Sequence, residues 1–174
     1  LDLLIAAMAR MRNKPSLTII GPGEAQYVAE LERQASAAGV RERISFRGPV
    51  YGEERLHLLQ GADLFVLPSR QENFGVAIVE ALAVGTPVVI SKAVNIWEEI
   101  VGAKVGAAVD LDPRVLAETI DAWLESPSRL AEAGAGAKAF VRARYEATAV
   151  ARRWSSHYEG IVRAASNAEA AWTK

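Results

Sequence analysis

Two carboxylates eight positions apart, Glu72 and Glu80, stand in a stretch with little other charge. It runs from Phe65 to Ser91, FVLPSRQENFGVAIVEALAVGTPVVIS. Residues 69–73 (Ser-Arg-Gln-Glu-Asn) are polar, and Phe74 to Val84 is apolar on every side except at Glu80. A helix that is apolar all round lies under neighbours on several sides. An ionised Glu in its middle therefore needs a donor or the border of a cleft. Glu72 lies in the loop that feeds the start of the same helix, so both acids can look into one crevice at the helix N-terminus. Free backbone N–H groups and the positive end of the helix dipole favour an anion such as phosphate there. Gly75 lets a ligand approach the backbone closely. Spacing alone leaves two readings open: the acids serve a ligand, or Glu72 caps the helix and Glu80 pairs with an arginine elsewhere in the chain.

The flanking pattern supplies the scaffold. Leu64 to Leu67 is an apolar strand ended by Pro68, Gly85-Thr86-Pro87 stops the helix, and Val88 to Ile90 begins the next strand. Upstream, Leu1 to Met11 has the spacing of an amphipathic helix. Ser16–Ile20 is a β-rich run ended by Gly21-Pro22-Gly23, and Glu24 to Ala38 is a helix with Tyr27, Val28, Leu31 and Ala35 on one face. Arg43–Phe46 reads as a strand, and Glu53 to Gln60 as a helix pointing Leu56, Leu59 and Tyr51 inward.

Downstream, Asn95 to Val101 is a short helix and Val105–Val109 a last strand. Asp112-Pro113 starts a helix, with Asp as N-cap and Pro in the first position, and Ser126-Pro127 repeats the device. Gly134 and Gly136 are expected to interrupt this second helix before Ala137 to Tyr145 resumes it. A long final helix, Ala147 to Ala165, carries Val150, Trp154, Tyr158, Ile161 and Val162 on one face, leaving 166–174 as a polar tail. Trp97, Trp123 and Trp154 fall at positions expected to pack in the core. Strands alternating with helices predict an α/β fold: a Rossmann-like, doubly wound parallel sheet with helices on both faces, over residues 1–165.

Composition closes off several classes. The 174 residues suit one domain or one half of a two-domain enzyme. Twenty basic against 21 acidic residues give no basic footprint for nucleic acid. No apolar run reaches the roughly 20 residues of a membrane span. The absence of cysteine excludes disulfides, thiolate metal sites and thiol catalysis. The start, Leu1-Asp2-Leu3-Leu4, lacks the basic region of a signal peptide, and a cytoplasmic protein is expected. His57 and His157 have no partner at metal-ligand spacing, and no strand end carries Asp-x-Asp, so no metal is expected.

The central stretch is more specific than its two acids. Pro68-Ser69-Arg70-x-Glu72-x-Phe74-Gly75, continuing to Glu80-Ala81-Leu82-Ala83-x-Gly85-Thr86-Pro87-Val88-Val89, resembles the E-x7-E signature of the retaining glycosyltransferases of family 4. Ile19-Ile20-Gly21-Pro22-Gly23, Ile44-Ser45-Phe46-Arg47-Gly48-x-Val50 and Ala62-Asp63-Leu64-Phe65-Val66-Leu67 extend the likeness over most of the chain. The resemblance implies the C-terminal, donor-binding domain of the two-domain GT-B architecture. It implies transfer of a sugar from a nucleotide-diphosphate donor to an acceptor, with retention at the anomeric carbon and no cofactor. The acceptor, a sugar or a lipid-linked sugar, is expected to bind through an N-terminal domain. In the full-length protein, attachment is expected to be peripheral to the inner membrane.

By that resemblance Glu80 accepts hydrogen bonds from the ribose hydroxyls. Glu72 lies near the transferred sugar and steadies charge at its anomeric carbon. Asn73, Phe74, Gly75 and Val76 offer backbone N–H groups to sugar and diphosphate, with the Phe74 ring in the core. Arg47 and Gly48 lie where the base is read, with a solvated surface Arg47 as the alternative. In the family a strand and a loop with an Arg-Lys pair precede these elements, and no residue here matches them. A fragment with its first strand missing is therefore expected, binding nucleotide weakly or not at all and without turnover when alone. Its unpaired sheet edges offer a route to a homodimer. A GT-B epimerase or phosphorylase, and a non-catalytic nucleotide-binding module, are the alternative readings.

Overall fold

The computed structural model describes the backbone of residues 1–172 and the side chains of residues 1–165. In order it holds α1 (Asp2–Met8), β1 (Leu17–Ile20), α2 (Ala25–Ala37), β2 (Ile44–Gly48), α3 (Gly52–Gln60), β3 (Phe65–Leu67), α4 (Val76–Val84) and β4 (Val88–Ser91). There follow α5 (Trp97–Gly102), β5 (Gly106–Val109), α6 (Pro113–Leu124), α7 (Pro127–Tyr145) and α8 (Ala147–Trp172). Every strand pairing is parallel, as helical crossovers require. α8 runs past the 165/166 boundary expected from sequence, and positions 173 and 174 of the expected tail lie outside the described residues.

The strands form two sheets, β1-β2 and β3-β4-β5. That is what the doubly wound order 3-2-1-4-5-6 leaves when its first strand is taken out. β1 and β3 each keep one edge with no described strand hydrogen-bonded to it.

Helices cover both faces, and β4 makes this visible. Val89 joins a cluster with α1, α2 and α6 through Ile5, Met8, Leu31, Leu116, Ile120 and Trp123. Its neighbours Val88 and Ile90 join a second cluster with α4, α5 and α7 through Ile78, Leu82, Ile100 and Ala137. Successive side chains of a strand point to opposite faces, so one fully buried strand supplies both cores. Each such Leu or Ile contributes about 1.5–3 kcal/mol of burial.

Asp112 caps α6, its carboxylate accepting from the Arg114 amide at 2.7 Å with Pro113 in the first turn. The expected break at Gly134 and Gly136 does not occur, since α7 is one helix of 19 residues. A Cβ on Gly134 would lie 2.5 Å from the Gly85 carbonyl oxygen. The glycine serves close approach of α7 to the end of α4, not chain reversal. Tyr27, Tyr51 and Leu56, expected inward, are exposed. On α8, Trp154, Tyr158, Ile161 and Val162 are each more than half exposed. Trp154 stacks on Tyr158, with ring centres 5.7 Å apart, instead of entering the core as Trp123 does.

Candidate functional site

The site is built where β3 ends and α4 begins. After Pro68 the chain bends at Arg70 and Gln71, and Glu72 then bridges the segment after β4. The Glu72 amide donates to the Ala93 carbonyl at 3.2 Å, and the Asn95 amide donates to the Glu72 carbonyl at 3.1 Å. Ser91 Oγ donates to the Ser69 carbonyl at 2.5 Å and ties the start of the loop to β4. The peptide of Glu72 is thus fixed before its side chain does anything.

Glu72 Oε1 accepts from the amides of Phe74 at 3.3 Å and Gly75 at 3.1 Å. The carboxylate closes the loop ahead of α4 and does not cap the helix, whose N-cap Gly75 has no side-chain cap. Two of the amides expected to face sugar and diphosphate are therefore already bonded within the loop. Gly75 sits at φ +73°, and a Cβ there would lie 2.6 Å from Ile78 Cδ1, so a side chain would strain the backbone and displace buried Ile78. The amides of Val76 and Ala77, the next two, bond to no described residue, and both residues are exposed. They are the open anion-facing donors of α4.

One turn on, Glu80 Oε1 accepts from a terminal nitrogen of Arg55 at 2.6 Å. The partner required by an acid on an apolar helix is thus on α3. The Glu80 side chain keeps 23% of its surface exposed. It borders a groove of about 430 Å³ that Phe74, Val79, Tyr145 and Arg153 also line. Phe74 is 40% exposed, a wall of this groove and not the core residue expected. Its ring meets Tyr145 edge-on at 5.4 Å.

Tyr145 is itself held. Its hydroxyl donates to Glu99 Oε2 at 2.7 Å, and Arg144 forks onto the same carboxylate with two bonds of 2.5 Å. Burial first, and then the bond to Glu99, push the Tyr145 hydroxyl up to about 12. The Arg144 bond lowers Glu99 against the opposing effect of burial. The groove wall is therefore neutral at its tyrosine and ionised behind it.

Glu72, Asn73, Phe74, Gly75, Val76 and Glu80 all gather at α4. Arg47 and Gly48 lie at the end of the other sheet. Arg47 pairs with Glu54 at 3.3 Å, both side chains about half exposed or more, and Gly48 turns at φ +66° with its carbonyl accepting from the Gly21 amide. Arg70 pairs with Asp2 and not with Glu72. Among the described residues no three His, Cys, Asp or Glu side chains group as metal ligands. Arg55, Tyr145 and Arg153 escape sequence reasoning. Arg55 is one charge among several on an ordinary helix, and the other two lie far along the chain with no motif around them.

An open parallel α/β fold with acids and free amides at one helix N-terminus is an arrangement suited to phosphate-bearing ligands. The comparisons narrow it. Residues 1–140 match the family model of Glycosyl transferases group 1, and the chain belongs to that family. A D-inositol 3-phosphate glycosyltransferase of Xylanimonas cellulosilytica is 33% identical over 144 residues, covering 81% of this chain and 34% of the relative. A GDP-mannose-dependent alpha-(1-6)-phosphatidylinositol monomannoside mannosyltransferase of Mycolicibacterium smegmatis is 31% identical, covering 76% and 37%.

Among solved structures, sucrose-phosphate synthase of Thermosynechococcus elongatus superposes with a TM-score of 0.81 at 25% identity, covering 94% of this chain and 42% of that one. Anabaena Alr3699/HepE in complex with UDP-glucose gives 0.79 at 26% identity, covering 91% and 44%. The fold is that of a GT-B C-terminal domain, and the chain spans about a third of the length of these curated relatives. Among the described residues no helix is long and apolar enough to cross a membrane.

Proposed function

We propose that this chain is the donor-binding half of a retaining glycosyltransferase of family 4, taking a nucleotide-diphosphate sugar. The observation that carries the reading is Glu80. A carboxylate stands on an otherwise apolar helix, one turn past two unbonded amides, at the edge of an open groove. In this reading the diphosphate lies on the Val76 and Ala77 amides, and Glu80 accepts from the ribose hydroxyls, which one carboxylate oxygen can do with its two lone pairs. Preorganised amides stabilise the charge that grows on the leaving diphosphate. The UDP-glucose complex of Alr3699/HepE, a relative in fold, supports a uridine nucleotide as the first ligand to try. The acceptor side belongs to another domain.

Glu72 favours one second reading, since its carboxylate is engaged by the loop's own amides. A module that binds nucleotide without transfer would look the same. Titrating the purified protein with UDP, GDP, ADP and dTDP beside Glu80→Ala tests the proposal. One nucleotide is expected to bind and to lose roughly tenfold or more in the variant. Equal binding to both proteins would overturn the assignment of Glu80, and nucleotide binding that still gives no sugar transfer once the chain is joined to an acceptor domain would favour the second reading.

A further inference from the structure

Consecutive residues of α3 hold two of the candidate site residues. Glu54 accepts from Arg47, and Arg55 donates to Glu80. The second pair is the informative one. Arg55 reaches Glu80 with a single terminal nitrogen, while its own Nε is buried without an acceptor. An arginine placed only to hold the fold together normally satisfies its buried donors. Here the guanidinium leaves one unpaired and spans α3 to α4 for one contact.

That contact takes Oε1 alone, and no described group bonds to Oε2. The Glu80 side chain also stays 23% exposed at the groove. A bridge that closed the site would cover both oxygens. This one covers one oxygen and leaves the other presented. A glutamate on a helix turns freely about three side-chain torsions, and fixing one oxygen fixes where the other points.

We propose that Arg55 is a positioning residue for donor recognition: it clamps Glu80 Oε1 so that Oε2 meets the vicinal hydroxyls of the nucleoside. The inference rests on Glu80 being the ribose acceptor. Arg55 itself touches no ligand; it acts through the orientation of Glu80, and so through selection of ribose over deoxyribose.

The test compares UDP and GDP with their 2′,3′-dideoxy analogues by calorimetry, with inorganic pyrophosphate as a probe of the amide site alone. The wild-type protein is expected to prefer the ribonucleotide by about tenfold, the lower range for hydrogen bonds to a charged group. Arg55→Leu is expected to cut the preference to about twofold and leave pyrophosphate affinity unchanged. Arg55→Lys, which keeps charge but loses the planar fork, is expected to restore part of it. The lysine variant also carries the test if leucine disturbs α3, as read by thermal unfolding. A full preference retained in both variants would reduce Arg55 to a structural role, and tighter ribonucleotide binding in Arg55→Leu would make it a lock; either overturns the inference. No ribose preference in the wild type overturns the reading of Glu80 itself, and this inference with it.

Discussion

The two sheets are built to different standards. In the three-stranded sheet β4 is buried at all four positions. At Gly106 of β5 a Cβ would overlap the Val88 carbonyl and crowd Val88 Cγ2 at 2.7 Å and Ile100 Cγ2 at 2.9 Å. In the two-stranded sheet Thr18, Ser45 and Arg47 are exposed, and Gly21 and Gly48 have nothing within 4 Å of an added Cβ. The acids and free amides sit on the close-packed sheet, where α4 is gripped by β3, β4, α3 and α7. The looser sheet contributes turns and one exposed arginine. Charge recognition needs fixed geometry, and only the first sheet provides it.

The largest expected effect is a bulky residue at the tight point. Gly106→Val should cost about 3 kcal/mol or more, because a backbone carbonyl has to move and a packed core transmits the shift. Gly48→Ala, strained only by its φ of +66°, should cost about 1–2 kcal/mol. Urea unfolding of both variants gives the ratio. Equal costs would break the contrast between the sheets.

Asp121 ties the two halves together. It lies on α6, 3% exposed, and accepts from the amides of Arg12 at 2.9 Å and Asn13 at 3.2 Å and from the Asn13 side chain at 3.0 Å. These residues lead into β1. Burial pushes the carboxyl up, but the bonds from Arg12 and Asn13 outweigh it and hold it below the ordinary value. Its stabilisation is therefore present above the unfolded value near 4 and is lost as pH falls through the lower folded value. Asp121→Ala should cost about 2–4 kcal/mol, leaving two amides without acceptors. The variant should also lose less stability than the wild type between pH 7 and pH 3. A parallel loss in both proteins would show that the carboxylate carries none of the acid sensitivity.

Much of this was legible in the residues. Gly85-Thr86-Pro87 and Asp112-Pro113 set helix ends by local chemistry, and local chemistry is what a sequence displays. The apolar run around Glu80 announced a helix and a partner for its acid, but the helix is buried only at Ile78, Ala81 and Leu82, with Val76, Ala77 and Ala83 exposed. What it withheld was tertiary. Nothing near Arg55 says that it faces Glu80, 25 positions on. Gly134 looks like a break until Gly85 is seen against it. Trp154 and Tyr158 have core spacing, yet periodicity says which face of a helix is apolar and not whether anything covers it. Phe74 fails for the same reason: a groove is a relation between α4, α7 and α8.

The smallest effect decides where the site stops. Arg47 and Glu54 form an ion pair with side chains 49% and 62% exposed, and such pairs contribute about 0–1 kcal/mol. Arg47→Ala should leave the unfolding midpoint almost unchanged. A guanidinium over an aromatic base at an exposed site is worth about 0.5–1 kcal/mol, so if the β2 end reads the base, UDP should weaken by roughly two- to fivefold. Pyrophosphate has no base and should bind the variant as it binds the wild type. That split, a nucleotide effect without a pyrophosphate effect, is the expected result. Equal affinity for both ligands in both proteins would confine recognition to α4 and leave the two-stranded sheet outside the site.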